Sequence, residues 1–370
     1  RSRDFPLAFP LNGWWTLLGI GIVGLPNVGK STLFNAITSM KAEAANYPFC
    51  TIDPNIGIVD VPDERLDRVA EISGSEKVIR SSIKFVDIAG LVRGASKGEG
   101  LGNKFLSNIR EVTAIAHVLR CFDDENVTHV DGSVNPLRDL ETINLELILA
   151  DIDLLTKALA KNKKANANSI LVKAIENSLS ILESNKFLYG LPDEHKEALK
   201  IYSLLTLKPM ILVTNVKEQD ITKGNNYTKL VEEFAAESGM KVVRVCAQVE
   251  YEISQLNEED RKDFIDSLGL DRPCLDMLIQ EGYSTLGLIS FFTSGPKESR
   301  AWTIEIGESA YEAAAKIHKD IQRGFIKAEV TSYKDFIETK GKPKERGLLK
   351  LEGKNYIIQD ADVIYFRFNV

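Results

Sequence analysis

Two rhythms of apolar residues run along the chain. Nearly continuous apolar runs occur at Leu17-Leu18-Gly19-Ile20-Gly21-Ile22-Val23, at Ala114-Ile115-Ala116-His117-Val118-Leu119-Arg120-Cys121-Phe122 and at Met210-Ile211-Leu212-Val213. Runs of this kind mark strands covered on both faces of a parallel sheet. Further strands are predicted at 56–61, 82–88 and 241–248, with helices after Lys30 and over 229–238. Strands alternating with helices predict an α/β fold built on a doubly wound, mostly parallel sheet.

From Asp139 to about Lys200 the spacing becomes helical. Leu140, Ile143, Leu147, Ala150, Leu154, Leu155 and Leu159 form one apolar seam, and Ile170, Ala174, Ile175, Leu179 and Leu182 form a second. The polar break at 161–168 separates them, which predicts an antiparallel helical hairpin inserted into the sheet domain. From about Trp302 short strands mix with one helix, as in a small α+β module. The expected boundaries are a sheet domain over 17–138 and 203–290, a helical insertion over 139–202, and a C-terminal domain over 291–370. Residues 1–16 begin without Met and read as an irregular or appended leader.

Composition changes this picture little. A chain of 370 residues suggests two or three domains. The net charge of −7 excludes a global basic field for nucleic acid, so any RNA contact must be local. Lys342, Lys344, Arg346 and Lys350 form one local basic cluster, and the lysines of the hairpin tip form another. Cys50, Cys121, Cys246 and Cys274 are widely spaced, which argues against a zinc ribbon or a disulfide framework and for reduced cytosolic thiols. The early apolar run is too short to span a bilayer, so no membrane partner is expected.

The chemistry concentrates in Gly24-Leu25-Pro26-Asn27-Val28-Gly29-Lys30-Ser31-Thr32, which has the spacing Gly-x-x-x-x-Gly-Lys-Ser between a predicted strand and helix. Its glycines let main-chain N–H groups of Asn27, Val28, Gly29 and their neighbours through Thr32 curl around phosphate, at the positive end of a helix dipole. Lys30 is assigned to the β- and γ-phosphates and Ser31 to magnesium. Asp87-Ile88-Ala89-Gly90 ends a later strand, so Asp87 is a second metal residue, held through water, and the N–H of Gly90 is a γ-phosphate contact. Thr51 suits a loop that closes a hydroxyl onto the metal. The glycine-rich 94–102 reads as a nucleotide-sensing switch. His117, mid-strand, reads as a core residue; His129, beyond the carboxyl end of that strand, is better placed for chemistry.

Together the motifs at 24–32, 46–55, 87–95 and 215–218 and the ending Phe366-Arg367-Phe368-Asn369-Val370 resemble the Obg-like ATPases, the YchF subfamily of Obg-related P-loop proteins. The resemblance spans nearly all of 19–370. It implies a GTPase-like domain, a helical insertion and a C-terminal TGS domain of ubiquitin-like, β-grasp-like fold. It also implies a cytosolic ATPase that associates with ribosomes, with RNA contacts through the TGS and helical domains. A monomer is expected.

Guanine-specific relatives read the base with Asn-Lys-x-Asp; here Asn215-Val216-Lys217-Glu218 stands instead. Val216 removes the stacking Lys, and the Glu218 carboxylate lies one methylene too far out. A guanine N–H without its acceptor costs about 1–3 kcal/mol, so adenine is favoured. Asn215, Val216, Glu218 and Ala247 are the base-side candidates. Ras-like enzymes orient water with a Gln after Asp-x-x-Gly; here Leu91 follows, so turnover should be slow. The resemblance implies a catalytic His in the loop of His129, beside Lys30. Asn27 occupies the position where potassium-stimulated relatives hold K+ near the phosphates. The alternatives are a GTP-specific ribosome-associated GTPase and an RNA-binding scaffold with structural nucleotide.

Overall fold

The computed structural model describes residues 17–40, 55–88, 100–124, 132–165 and 169–369. Thr51, Gly90, Leu91 and His129 lie outside the described residues. In chain order the elements begin with β1 (Leu17–Val23), α1 (Lys30–Ser39), β2 (Ile56–Asp60), α2 (Glu64–Ser73), β3 (Lys77–Ile79) and β4 (Ser82–Asp87). Next come α3 (Gly100–Glu111), β5 (Val112–Arg120), α4 (Pro136–Lys164), α5 (Ser169–Glu183), α6 (Asp193–Leu199) and β6 (Met210–Asn215). Then follow α7 (Asn226–Ser238), β7 (Lys241–Val245), α8 (Ala247–Gln255), α9 (Glu258–Ser267), α10 (Cys274–Thr285), β8 (Leu288–Ser294) and β9 (Glu298–Glu305). The chain ends with α11 (Ala310–Ile317), α12 (Lys319–Arg323), β10 (Phe325–Thr331), α13 (Tyr333–Glu338), β11 (Lys350–Glu352) and β12 (Val363–Phe368).

One compact unit holds Trp15–Ile58 and Lys84–Gly282. Its sheet has the strand order β2-β4-β1-β5-β6-β7. β1 pairs in parallel with β4 on one side and β5 on the other, and β6 and β7 continue the parallel series. The apolar runs account for this placement: β5 is buried from Ala114 through Arg120, and every residue of β6 is buried. Strand order reverses on either side of β1, so the loop after β1 emerges at the switch point, where open α/β sheets bind ligands.

The helical seams pair as the spacing predicts. α4 starts cleanly because the Asn135 side chain accepts from the Arg138 N–H and Pro136 fills the first turn. Ile148 and Leu155 of α4 pack with Ala174, Ile175 and Leu182 of α5, and Leu188, Leu191, Leu199 and Leu204 close the base of this core.

The second unit holds Val59–Ile83 and Tyr283–Val370, around a mixed sheet of order β11-β10-β12-β8-β9-β3. β8 and β9 form an antiparallel hairpin, and β12 lies parallel to β8. One sheet face packs Phe291, Ile304 and Phe366 against Ala313 and Ala314 of α11. The other packs Phe292, Ala301 and Val363 against Leu66 and Val69 of α2 and Phe336 of α13. This departs from the expected boundaries: α2 and β3, which lie in sequence between the nucleotide-sheet strands β2 and β4, pack with the C-terminal unit. The physical reason is that α2 buries Leu66 and Val69 there and β3 adds a parallel edge to β9.

Candidate functional site

The loop between β1 and α1 is held by contacts that exclude side chains. A Cβ on Gly24 would stand 2.8 Å from the carbonyl oxygen of Val118. Gly29 has φ 93°, the left-handed region that favours glycine, and a Cβ there would stand 2.1 Å from Nδ2 of Asn215. Val28 is buried and anchors the loop to the core, while Ser31 stays exposed in the first turn of α1. The loop therefore presents main-chain N–H groups and a helix N-terminus to the cavity in front of it.

Lys30 and Asp87 come together although 57 residues separate them: Nζ of Lys30 forms an ion pair with Oδ1 of Asp87. Both are largely screened from solvent, with side chains 10% and 20% exposed. This pair joins the residue assigned to phosphate with the residue assigned to metal. A magnesium ion fits the donor set, because Ser31 and Asp87 offer hard oxygens and such an ion keeps waters and takes phosphate oxygens for the rest. Among the described residues no cluster of three or more His, Cys, Asp or Glu is arranged to hold a metal.

Asn215 does more than line the site. Its Nδ2 donates to the carbonyl of Val28 at 2.9 Å, and its Oδ1 accepts from the N–H of Ala247 at 3.0 Å. One buried amide thus braces the phosphate loop against the start of α8, which sets Ala247 beside the same cavity. The cavity, about 1390 Å³, is lined by Asn27, Gly29, Lys30, Ser31, Thr32, Asp87, Val216, Glu218 and Ala247, among others. Val216 is nearly buried, whereas Lys217 and Glu218 are exposed.

Sequence reasoning missed Phe122, Asp124, Gln248, Glu252 and Leu268 on the cavity wall. Phe122 and Asp124 follow the carboxyl end of β5, the edge where ligands bind, so their position was a usable signal. Leu268, past the end of α9, offered none.

His117 is fully buried in β5, and burial lowers its pKa to about 3. Neither ring nitrogen has a hydrogen-bond partner among the described residues, so it is a neutral core residue that pays for its polar atoms. Glu250 on α8 is pushed up to about 7 by burial, opposed by the Cys274 N–H that its Oε1 accepts at 2.8 Å.

A glycine-rich loop at the switch point, a lysine and an aspartate paired at its mouth, and a cavity wall braced by Asn215 define a P-loop nucleoside triphosphatase of GTPase fold. Residues 19–150 match the family described as "50S ribosome-binding GTPase", and 288–369 match the YchF-type GTPase C-terminal family, described as "Protein of unknown function (DUF933)". The "Ribosome-binding ATPase YchF" of Haemophilus influenzae is 51% identical over 359 residues, 95% of this chain and 99% of that protein. Its namesake in Bacillus subtilis is 49% identical over 364 residues, 95% of this chain and 100% of the relative. The structure of the Schizosaccharomyces pombe YchF GTPase matches with a TM-score of 0.84 at 33% identity, covering 98% of this chain and 100% of that one. The chain belongs to the YchF family.

Proposed function

We propose that this chain hydrolyses ATP in preference to GTP, with magnesium, and uses slow turnover as a nucleotide switch in contact with the ribosome. The observation that carries the reading is that the Lys30–Asp87 pair and the altered base motif at 215–218 share one cavity. Val216 puts no cationic stem where a base could stack on it, and Glu218 lies one methylene beyond the reach that a guanine-reading Asp has. The loss of one such acceptor costs about 1–3 kcal/mol, enough to cancel guanine preference. The relatives from Haemophilus and Bacillus are named ribosome-binding ATPases, which supports both halves of the proposal.

Ser31, Asp87 and Thr51 would hold magnesium, which supplies charge neutralisation between the β- and γ-phosphates. Lys30 binds the same phosphates, the Gly90 N–H reaches the γ-phosphate, and His129 orients the attacking water in place of the Gln absent at Leu91. Asn27, with φ 62°, is the proposed K+ contact. The hairpin tip and the 342–350 cluster are the proposed RNA contacts of a cytoplasmic monomer, with the C-terminal sheet unit as its TGS domain. Among the described residues no helix is long and apolar enough to cross a membrane.

Dissociation constants for ATP, ADP, GTP and GDP on the purified protein test the base. Tighter binding of GTP than ATP refutes adenine preference. His129→Ala is expected to lower the hydrolysis rate while ATP affinity stays nearly constant; an unchanged rate refutes the role of His129. Ribosome co-sedimentation with ATP, ADP or no nucleotide tests the switch, and identical binding in all three states refutes it in favour of a scaffold.

A further inference from the structure

Arg120, the last residue of β5, is the bulkiest fully buried side chain among the described residues. A buried guanidinium needs acceptors, and this one turns toward the main chain just beyond its own strand. Its Nε–H donates to the carbonyl of Phe122 at 3.1 Å, and an Nη2–H donates to the carbonyl of Asp124 at 3.2 Å. Its Cζ also stands 4.8 Å from the centroid of the Phe122 ring, within cation–π range. One side chain therefore fixes a turn and the aromatic ring that the turn carries.

Phe122 and Asp124 both line the nucleotide cavity together with Val216 and Glu218. The flanks of the turn are tied separately. Cys121 N–H donates to the Asn215 carbonyl at 2.8 Å, and Asn225 Nδ2 donates to the Cys121 carbonyl at 2.8 Å. The Tyr227 hydroxyl donates to the Asp123 carboxylate, 3.1 Å and 3.0 Å from its two oxygens. Those ties hold Cys121 and Asp123, whereas Arg120 holds the two residues that face the cavity.

We propose that Arg120 is a positioning residue for the nucleobase: its two carbonyl bonds and its contact with the Phe122 ring keep that ring and Asp124 as a preformed wall of the base side of the cavity. The inference rests on the proposed placement of the base beside 215–218. A planar fork reaches two carbonyl oxygens at once; the single ammonium of a lysine cannot reproduce both bonds and the ring contact together. The phosphate loop is braced from a different side chain, Asn215, through Val28.

The test compares the full chain with Arg120→Met, Arg120→Lys and Phe122→Leu, using ATP and inorganic tripolyphosphate as titrants in calorimetry. Tripolyphosphate reports the phosphate end without a base. Arg120→Met is expected to weaken ATP binding about tenfold, the scale of one lost base-stacking platform, with tripolyphosphate affinity and kcat at saturating ATP unchanged. Arg120→Lys should restore part of the loss. Equal weakening of both titrants, or unchanged ATP affinity, overturns the proposal; if Arg120→Met does not fold, Arg120→Lys carries the same comparison. Phe122→Leu separates the premises. Weaker ATP binding with unchanged tripolyphosphate binding supports the base placement, and unchanged ATP binding refutes that placement whatever Arg120 does.

Discussion

Asp151 is fully buried on α4, and the base of the helical insertion is built on its carboxylate. Oδ2 accepts from the N–H and the hydroxyl of Thr206, both at 2.8 Å, and Oδ1 accepts from the N–H of Leu205 at 3.2 Å. Arg110 stands 3.4 Å from Oδ1 and also donates to the Ser203 carbonyl at 3.0 Å. Burial raises the Asp151 pKa, and the bonds from Thr206 and Leu205 oppose that rise. Replacing the residue with leucine therefore has two opposed effects. It removes a costly buried charge, which in other buried ion pairs is neutral or even stabilising. It also strips acceptors from two main-chain N–H groups that no substitution can remove.

The second effect wins here. Each orphaned buried donor costs about 1–3 kcal/mol, and two of them outweigh the relieved desolvation of a carboxylate whose burial the bonds from Thr206 and Leu205 already offset in part. The expected net loss for Asp151→Leu is about 3–5 kcal/mol, read as a shift of the urea midpoint at constant slope. Asp153→Leu is the control, since Asp153 is exposed and pairs with the exposed Lys157 one turn away. Its loss should stay within about 0.5 kcal/mol. A loss for Asp151→Leu below about 1 kcal/mol would refute the reasoning, because the orphaned N–H groups would then have found other acceptors.

Two other perturbations test the site and its surroundings. Gly29→Ala imposes a left-handed conformation on a residue with a Cβ and drives that atom into Asn215, so melting temperature should fall and ATP affinity should drop by about tenfold or more, both read on one preparation. Glu250 and His117 pull the pH dependence of stability in opposite directions. The raised Glu250 pKa gives stability that is full below about 4.5 and lost as pH rises to about 7, at most about 3 kcal/mol. The lowered His117 pKa gives stability that is full above 6.5 and lost as pH falls toward about 3. Compared with the parent chain, Glu250→Gln should therefore lose more stability on acidification from pH 6.5 to 4.5, read from urea midpoints; parallel curves would refute the assignment.

What was legible in the chain was local. The run 17–23 reads as a strand because its apolar residues are continuous, and the loop after it reads as a phosphate cradle because its glycines have fixed spacing. Asp87 reads as a site residue because it ends an alternating strand. None of those signals shows that Lys30 and Asp87 meet, since the meeting depends on β1 and β4 being parallel neighbours. The allegiance of α2 was equally hidden. Its N-cap Asp63 and C-cap Gly74 announce a helix, but Leu66 and Val69 have an apolar face that would suit either sheet. Only the pairing of β3 with β9, across more than two hundred residues, decides which sheet receives it.

The motif at 215–218 shows how one short stretch answers separate physical demands. Asn215 is held by the protein itself: its amide spans the Val28 carbonyl and the Ala247 N–H, so a change there loosens the phosphate loop and the start of α8 whatever base is bound. Among the described residues the side-chain bond from this stretch to the loop comes from Asn215, so on the proposed reading Val216 and Glu218 can differ from the guanine-reading pattern without disturbing the phosphate end. On the proposed reading, base preference lies at 216 and 218 and the bracing of the loop at 215: a substitution at 218 is expected to change the ratio of ATP to GTP dissociation constants with tripolyphosphate affinity unchanged, whereas a substitution at 215 is expected to weaken all three.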